Sequence, residues 1–264
     1  MTNHKRPSVY IVTGTTRGIG RAMAEEILRR GHRLFSLSRA PDTVTQGWRN
    51  YRCDLRDAEK IQVAMIRLLD EIPHEACGDA ILLNNAGVLT PIGPLERNDW
   101  AGMAAALQVN LMAPMQLMSL FIQAAARFQG SRRIINITSG AGRHPYAGWG
   151  LYCTAKSALN MLTRCIALEQ RGRSRPVTIC AVAPGVVATD MQADIHRADD
   201  IDFPERQRFL RLAESGGLLA PEDVARLILD LDLAGQFQSG QIYDLRHATW
   251  SEGRPVITAL KENG

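Results

Sequence analysis

The sequence predicts an α/β fold: a single-domain, doubly wound parallel sheet with helices on both faces. Three observations predict it. Apolar, β-rich stretches alternate with longer helical patterns from end to end of the 264 residues. The strand stretches are apolar throughout rather than at every second residue, as a sheet buried on both faces requires. The first strand also runs directly into a glycine-rich turn and then a helix, the opening of a strand–helix–strand unit.

Taken in order, Ser8–Thr13 (SVYIVT) reads as a buried strand. Gly20–Arg30 reads as a helix, with Ala24, Ile27 and Leu28 at helical spacing and Gly31 as its stop. Leu34–Ser38 is the second strand, and shorter strands are predicted at Tyr51–Cys53, Ile81–Leu83, Arg133–Ile137, Val177–Val182 and Gln241–Leu245. Between them the periodicity predicts helices near Ala58–Glu71, Trp100–Ala126, Tyr152–Gln170 and Pro221–Leu231. Asp57 leads the first of these, and Pro221 followed by Glu222 and Asp223 makes a favourable first turn for the last. Residues 186–217 carry no strand signal, have mixed charge, and lie between Pro184-Gly185 and Gly216-Gly217. That stretch is too long for an ordinary connection and is expected to be a substrate lid on a single domain spanning residues 1–264.

Composition restricts the function classes. Lys and Arg number 31 against 27 Asp and Glu, a net charge of +4, with 45% hydrophobic residues: the proportions of a globular protein. The arginines are scattered, which argues against nucleic acid as a partner. No uninterrupted apolar run reaches the ~18 residues of a membrane span, and Met1–Pro7 is polar and basic with no apolar stretch behind it, so neither membrane anchoring nor secretion is expected. Cys53, Cys77, Cys153, Cys165 and Cys180 are odd in number and lack C-x-x-C spacing. His4, His32, His74, His144, His196 and His247 show no metal-ligand spacing. These patterns suit a reducing cytoplasm and predict neither a disulfide framework nor a metal site.

Chemistry enters with Thr13-Gly14-Thr15-Thr16-Arg17-Gly18-Ile19-Gly20. Glycines there allow a tight turn and bring backbone N–H groups and a helix N-terminus up to a pyrophosphate, the arrangement of a dinucleotide site. A site for NAD carries an acid at the end of the second strand to hold the ribose 2′-OH. Here that strand ends in Ser38-Arg39, and Arg17 sits in the glycine turn, while Asp42 lies beyond Pro41. Two guanidiniums and a hydroxyl suit a 2′-phosphate, so NADP(H) is the expected cofactor.

Tyr152-Cys153-Thr154-Ala155-Lys156 places a phenol and an ammonium four residues apart on one helix face. A free tyrosine titrates near ~10, and a neighbouring cation lowers that value. Ser139 follows the strand RIINIT at the carboxyl end, where α/β sheets bind ligands. Asn84-Asn85-Ala86-Gly87 follows the strand ILL, and Asn110 lies within a helical stretch, where asparagine is unfavourable unless its side chain is engaged.

Glycine turn, N-N-A-G, Asn110, Ser139, Tyr152-x-x-x-Lys156 and Pro184-Gly185 occur in this order over nearly the whole chain, and the sequence resembles the short-chain dehydrogenase/reductase family. The resemblance implies a Rossmann-type fold and the following roles. Tyr152 protonates the carbonyl oxygen during reduction, Ser139 hydrogen-bonds it, Lys156 binds the nicotinamide ribose and tunes Tyr152, and Asn110 anchors a water of the proton relay. Gly14, Thr16, Arg17, Gly18, Ile19 and Gly20 cradle the pyrophosphate side, with Ser38 and Arg39 at the 2′-phosphate. Asp54 meets the adenine, and Asn85, Ala86 and Gly87 border the ribose. Pro184, Gly185, Val187 and Thr189 hold the carboxamide.

Gly148–Cys153, Phe237–Gly240 and Pro184–Gln192 are similar to the sepiapterin reductases and bacterial benzil reductases, which implies a small-molecule carbonyl substrate, a vicinal dicarbonyl above all. Sepiapterin reductases carry a carboxylate near the C-terminus that grips the pterin. The corresponding stretch here has Asp244 as its only acid, followed by Arg246-His247, which favours an uncharged dicarbonyl. Gly140, Trp149 and Met191 are the expected substrate-pocket residues, with Trp149 available to stack on an aromatic substrate. Cys153 is expected to be a small buried filler and His144 a loop residue. The resemblance further implies a homodimer or homotetramer built on the long apolar helices. A 3-oxoacyl-thioester, steroid or sugar substrate is the alternative within the family, and a non-catalytic NADP(H) sensor the alternative outside enzymes.

Overall fold

A parallel sheet runs through the middle of the protein, with its strands in the order β3-β4-β2-β1-β5-β6-β7-β8 in the computed structural model, which describes residues 6–73 and 77–261. His4, His74 and the N-terminal residues before Arg6 lie outside the described residues. The strands are β1 (Val9–Thr13), β2 (Arg33–Ser38), β3 (Thr43–Thr45), β4 (Trp48–Arg52), β5 (Ala80–Asn84), β6 (Arg132–Ile137), β7 (Thr178–Ala183) and β8 (Ile242–Asp244). All neighbours pair in parallel except β3, which runs antiparallel to β4 at the edge. The chain therefore winds outward from β1 in both directions, the doubly wound order.

The apolar strands follow from this topology. Along β1, Val9 and Ile11 point into one core while Tyr10 and Val12 point into the other. With successive side chains facing opposite sides, both sets must be apolar. One core lies under α2 (Ala58–Glu71), α4 (Ala113–Ala124) and α5 (Gly150–Gln170), with Met65, Phe121 and Leu159 at its centre. The other lies under α1 (Gly18–Arg29) and α8 (Pro221–Leu233), around Met23, Ile27 and Ile228. Asp57 accepts from the Lys60 N–H at 3.1 Å and caps α2, while Pro221 occupies the first turn of α8 with Glu222 and Asp223 at its positive end.

One expectation needs correction, and further elements fall where the sequence gives no signal. The long helix predicted over Trp100–Ala126 is divided into α3 (Trp100–Leu107), a π turn (Gln108–Met112), α4 and a 3₁₀ turn (Ala125–Arg127). As a whole, Trp100–Arg127 is long and apolar enough to cross a membrane, but Leu117, Met118 and Phe121 are packed on the sheet. Residues 186–217 are not irregular: they hold α6 (Met191–Arg197) and α7 (Arg206–Glu214), which escape periodicity because each buries a single residue, Ile195 and Phe209. A final hairpin, β9 (Thr249–Ser251) with β10 (Arg254–Val256), and the exposed edge strand β3 are too short and too polar to predict.

Candidate active site

The carboxyl ends of the parallel strands open on one cavity of about 980 Å³, which reaches from the glycine turn to α7. Among the residues predicted for the site, all of the cofactor set, Ser139, Tyr152 and Lys156, and the pocket residues Gly140, Trp149 and Met191 line this cavity. Asn110 alone does not; it sits one layer behind.

At the phosphate end, Gly14 and Gly18 have φ of +74° and +55°, conformations that favour glycine. A Cβ on Gly20 would fall 2.1 Å from the Gly14 carbonyl oxygen, so helix α1 meets the turn with no space for a side chain. Asn85 braces the turn from the side: its amide donates to the Thr13 carbonyl at 2.9 Å, and the Asn85 and Ala86 N–H groups both donate to Thr13 Oγ1 at 3.0 Å. Such a backbone-lined cradle at a helix N-terminus fits a pyrophosphate.

At the adenosine end, Asn50 does work the sequence left unseen. Its Oδ1 accepts from both Ser36 and Ser38 Oγ at 2.8 Å, and its amide donates to the Ala40 and Pro41 carbonyls at 3.1 and 2.9 Å. The Ser38 hydroxyl is thus already committed, while the loop that presents Arg39 is pinned. Asp42 accepts from the Arg52 N–H in the edge hairpin and does not line the cavity. Asp54 is gripped by Arg56, which holds its carboxyl down at about 2. Arg17 reaches Asp190 at 3.2 Å, with both side chains mostly exposed. The adenosine end therefore presents arginines, and its one lining acid is neutralised.

The reactive end is built by α5 against the β6 terminus. Tyr152 and Lys156 are buried one helical turn apart, the lysine Nζ lying 5.6 Å from the tyrosine ring centre and donating to the Ile137 carbonyl at 2.9 Å. Ser139 accepts from the Ala141 N–H at 3.2 Å, and its hydroxyl lies close enough to the Tyr152 phenol to favour the ionised form. Burial pushes the phenol up to about 12 and the Lys156 ammonium down to about 8. At neutral pH the phenol consequently holds its proton and Lys156 remains mostly charged. Burial raises the tyrosine and the Ser139 hydroxyl is what opposes it, whereas the lowering by the nearby ammonium expected from the spacing is not among the causes.

Asn110 lies in the π turn. Its Oδ1 accepts from the Val88 N–H at 2.9 Å and its amide donates to the Val88 carbonyl at 2.7 Å, so the side chain ties the turn to the strand exit beside Gly87. What Asn110 has left for a relay is its main chain, in a segment where the regular helical ladder is broken.

Trp149 differs from expectation. It is 6% exposed and stacked on Phe203 at 4.3 Å, with Tyr146 and Phe209 tilted against it at 5.2 and 5.1 Å. Its ring face is occupied, so it forms a wall, and Tyr146 and Phe209 are the aromatic rings on the cavity side. Cys153 is half-buried, its Sγ 3.8 Å from the His144 carbonyl, and burial raises its thiol. Asp244 is buried and held by the Arg246 guanidinium, leaving no free carboxylate for a pterin. No group of His, Cys, Asp and Glu suited to a metal ion occurs among the described residues.

The sequence from residue 8 to 200 matches the short chain dehydrogenase family model. The chain is 37% identical over 240 residues to the (S)-benzoin-forming benzil reductase of Bacillus cereus, covering 88% of this chain and 96% of that protein. It is 32% identical over 256 residues to sepiapterin reductase of Meriones unguiculatus, covering 90% and 95%. Among solved structures, the KRED1-Pglu enzyme superposes with a TM-score of 0.77 at 27% identity, covering 89% and 99% of the two chains. A Beutenbergia cavernae chain solved with NADP at low occupancy gives 0.71 at 28% identity, covering 90% and 94%.

Proposed function

The chain belongs to the short-chain dehydrogenase family of oxidoreductases, and from that premise we propose that it is an NADPH-dependent carbonyl reductase acting on a vicinal dicarbonyl. The observation that carries the reading is a buried Tyr152 one turn from a buried Lys156, lining one cavity with Ser139 and with a glycine cradle that fits a dinucleotide.

A bound nicotinamide supplies the hydride, and the residues of this chain supply position and the proton. Tyr152 gives its phenolic proton to the carbonyl oxygen as negative charge develops there, and Ser139 donates a hydrogen bond to the same oxygen. Lys156, charged and buried, holds the ribose and stabilises the phenolate left behind. Asn110 contributes a main-chain carbonyl to the water that returns a proton to this pair. Pro184, Gly185, Val187 and Thr189 orient the carboxamide. Residues 186–217 act as a lid, bringing Met191 and Phe209 over the substrate and excluding water.

Arg17 and Arg39 favour the 2′-phosphate of NADPH, and the engagement of Asp42 with the Arg52 N–H removes the acid that NAD would need. Two features favour a dicarbonyl over a pterin: Asp244 is paired with Arg246, and the nearer bacterial relative reduces benzil. The test is the initial rate of NADPH and NADH oxidation with benzil, sepiapterin, a simple monoketone and an acetoacetyl thioester. Benzil reduction with NADPH preferred over NADH is expected. Turnover of the thioester alone would replace the dicarbonyl reading with a lipid one.

A further inference from the structure

Beyond the reactive end, the cavity leads into a second chamber of about 490 Å³ that shares Val186, Arg208, Leu212 and Arg246 with it. We propose that this annex receives a carboxylate carried by the substrate at a distance from the carbonyl that is reduced, so that the enzyme prefers anionic dicarbonyls to neutral ones. The inference rests on the carbonyl-reductase reading and replaces the uncharged dicarbonyl expected from the sequence with an anionic one.

The arrangement has a simple origin in the helix. Arg211 and Leu212 each stand three or four residues from Arg208 and from Ser215, so the four share one face of α7 and its end. That face turns toward Arg246, which stands on the turn after β8. Three arginines line the annex, and no acid does. Arg246 spends its Nε and Nη2 on Asp244, yet its Nη1 has no hydrogen-bond partner among the described residues. Arg208 touches Glu205 at 3.3 Å, a pair largely open to water and therefore weak. Arg211 makes no ion pair among the described residues, and neither does Asp190 or Asp194 reach the annex, these being engaged by Arg17 and Arg197.

The chemistry of the walls agrees. Val186, Leu212 and Leu219 give the annex an apolar side that suits an aryl or alkyl spacer, with Arg208 and Arg246 where it joins the main cavity and Arg211 on the annex alone. Planar guanidiniums bind a carboxylate by paired, charge-assisted hydrogen bonds.

The probes are 4-carboxybenzil and its methyl ester, which share the reacting carbonyls and differ in charge. The wild-type protein is expected to show a kcat/KM ratio of about tenfold in favour of the acid at low ionic strength, falling as salt screens an open site. Arg211→Ala should bring the ratio close to one, and Arg211→Lys should retain part of it. Calorimetric titration of both probes into the wild type and Arg211→Ala gives the same comparison without turnover. A wild-type ratio of one or less, or a ratio indifferent to Arg211→Ala, would overturn the annex. Failure of both probes and of benzil to be reduced, with the acid still bound more tightly by the wild type, would instead sink the carbonyl reading and leave the anion site standing.

Discussion

Lys156 is where function and stability oppose each other. Burial depresses its ammonium to about 8 from an ordinary 10.5, so the folded state disfavours the charged form. The cost is fully present below about 8 and fades as pH rises toward the unfolded value of 10.5. Replacing it with methionine removes that cost and one hydrogen bond to Ile137. We expect Lys156→Met to raise stability by about 1 to 2 kcal/mol at pH 7, roughly 2–8 °C in Tm, with loss of reductase activity. The gain should shrink between pH 8 and pH 10, measured by thermal unfolding across that range. A variant less stable than the wild type at pH 7 would show that the ammonium is better solvated than its burial implies.

Arg133 ties three elements together. Its Nε and Nη2 fork onto Asp232 of α8 at 2.6 and 2.9 Å, and its Nη1 meets Asp79, just before β5, at 3.0 Å. The Asp232 side chain is 1% exposed, so removing the arginine leaves a buried carboxylate without its counter-charge. Arg133→Met should cost about 3 kcal/mol or more, while Arg133→Met with Asp232→Leu should recover much of it, since a buried pair is worth little against apolar replacements. Urea unfolding of the single and double variants checks this, and equal losses in both would contradict it. This clamp was invisible in the sequence, because a charge in a strand and one in a helix 99 residues away give no local signal. The uninterrupted apolar strands and the glycine turn, by contrast, were legible because burial on both faces and close backbone approach each demand particular residue types. Ser139, Tyr152 and Lys156 were legible for the same reason, each sitting at a strand end or a fixed helical step. The engagement of Asp42, the bracing by Asn50 and the stacking of Phe203 on Trp149 were not, since each depends on tertiary neighbours. Helices α6 and α7 were missed because one buried residue apiece leaves no period to read.

Across its surface, the molecule exposes Met112 and Met115 where the π turn enters α4, and Met161 and Leu168 on α5. Exposed apolar side chains on the long helices suit the pairing about a two-fold axis that the homodimer or homotetramer expectation calls for. Sedimentation should return a dimer or tetramer mass, reduced in Met161→Glu. A wild-type monomer at micromolar concentration would contradict the assignment. The sheet, the two helical layers and residues 186–217 all line one small volume, where a buried phenol keeps its proton beside Ser139 and Lys156. The most direct test of that arrangement is the rate of benzil reduction by Tyr152→Phe with saturating NADPH, set beside the wild type. Loss of the general acid predicts a fall of about 10²–10⁴-fold with NADPH binding retained. Undiminished turnover in Tyr152→Phe would contradict the account.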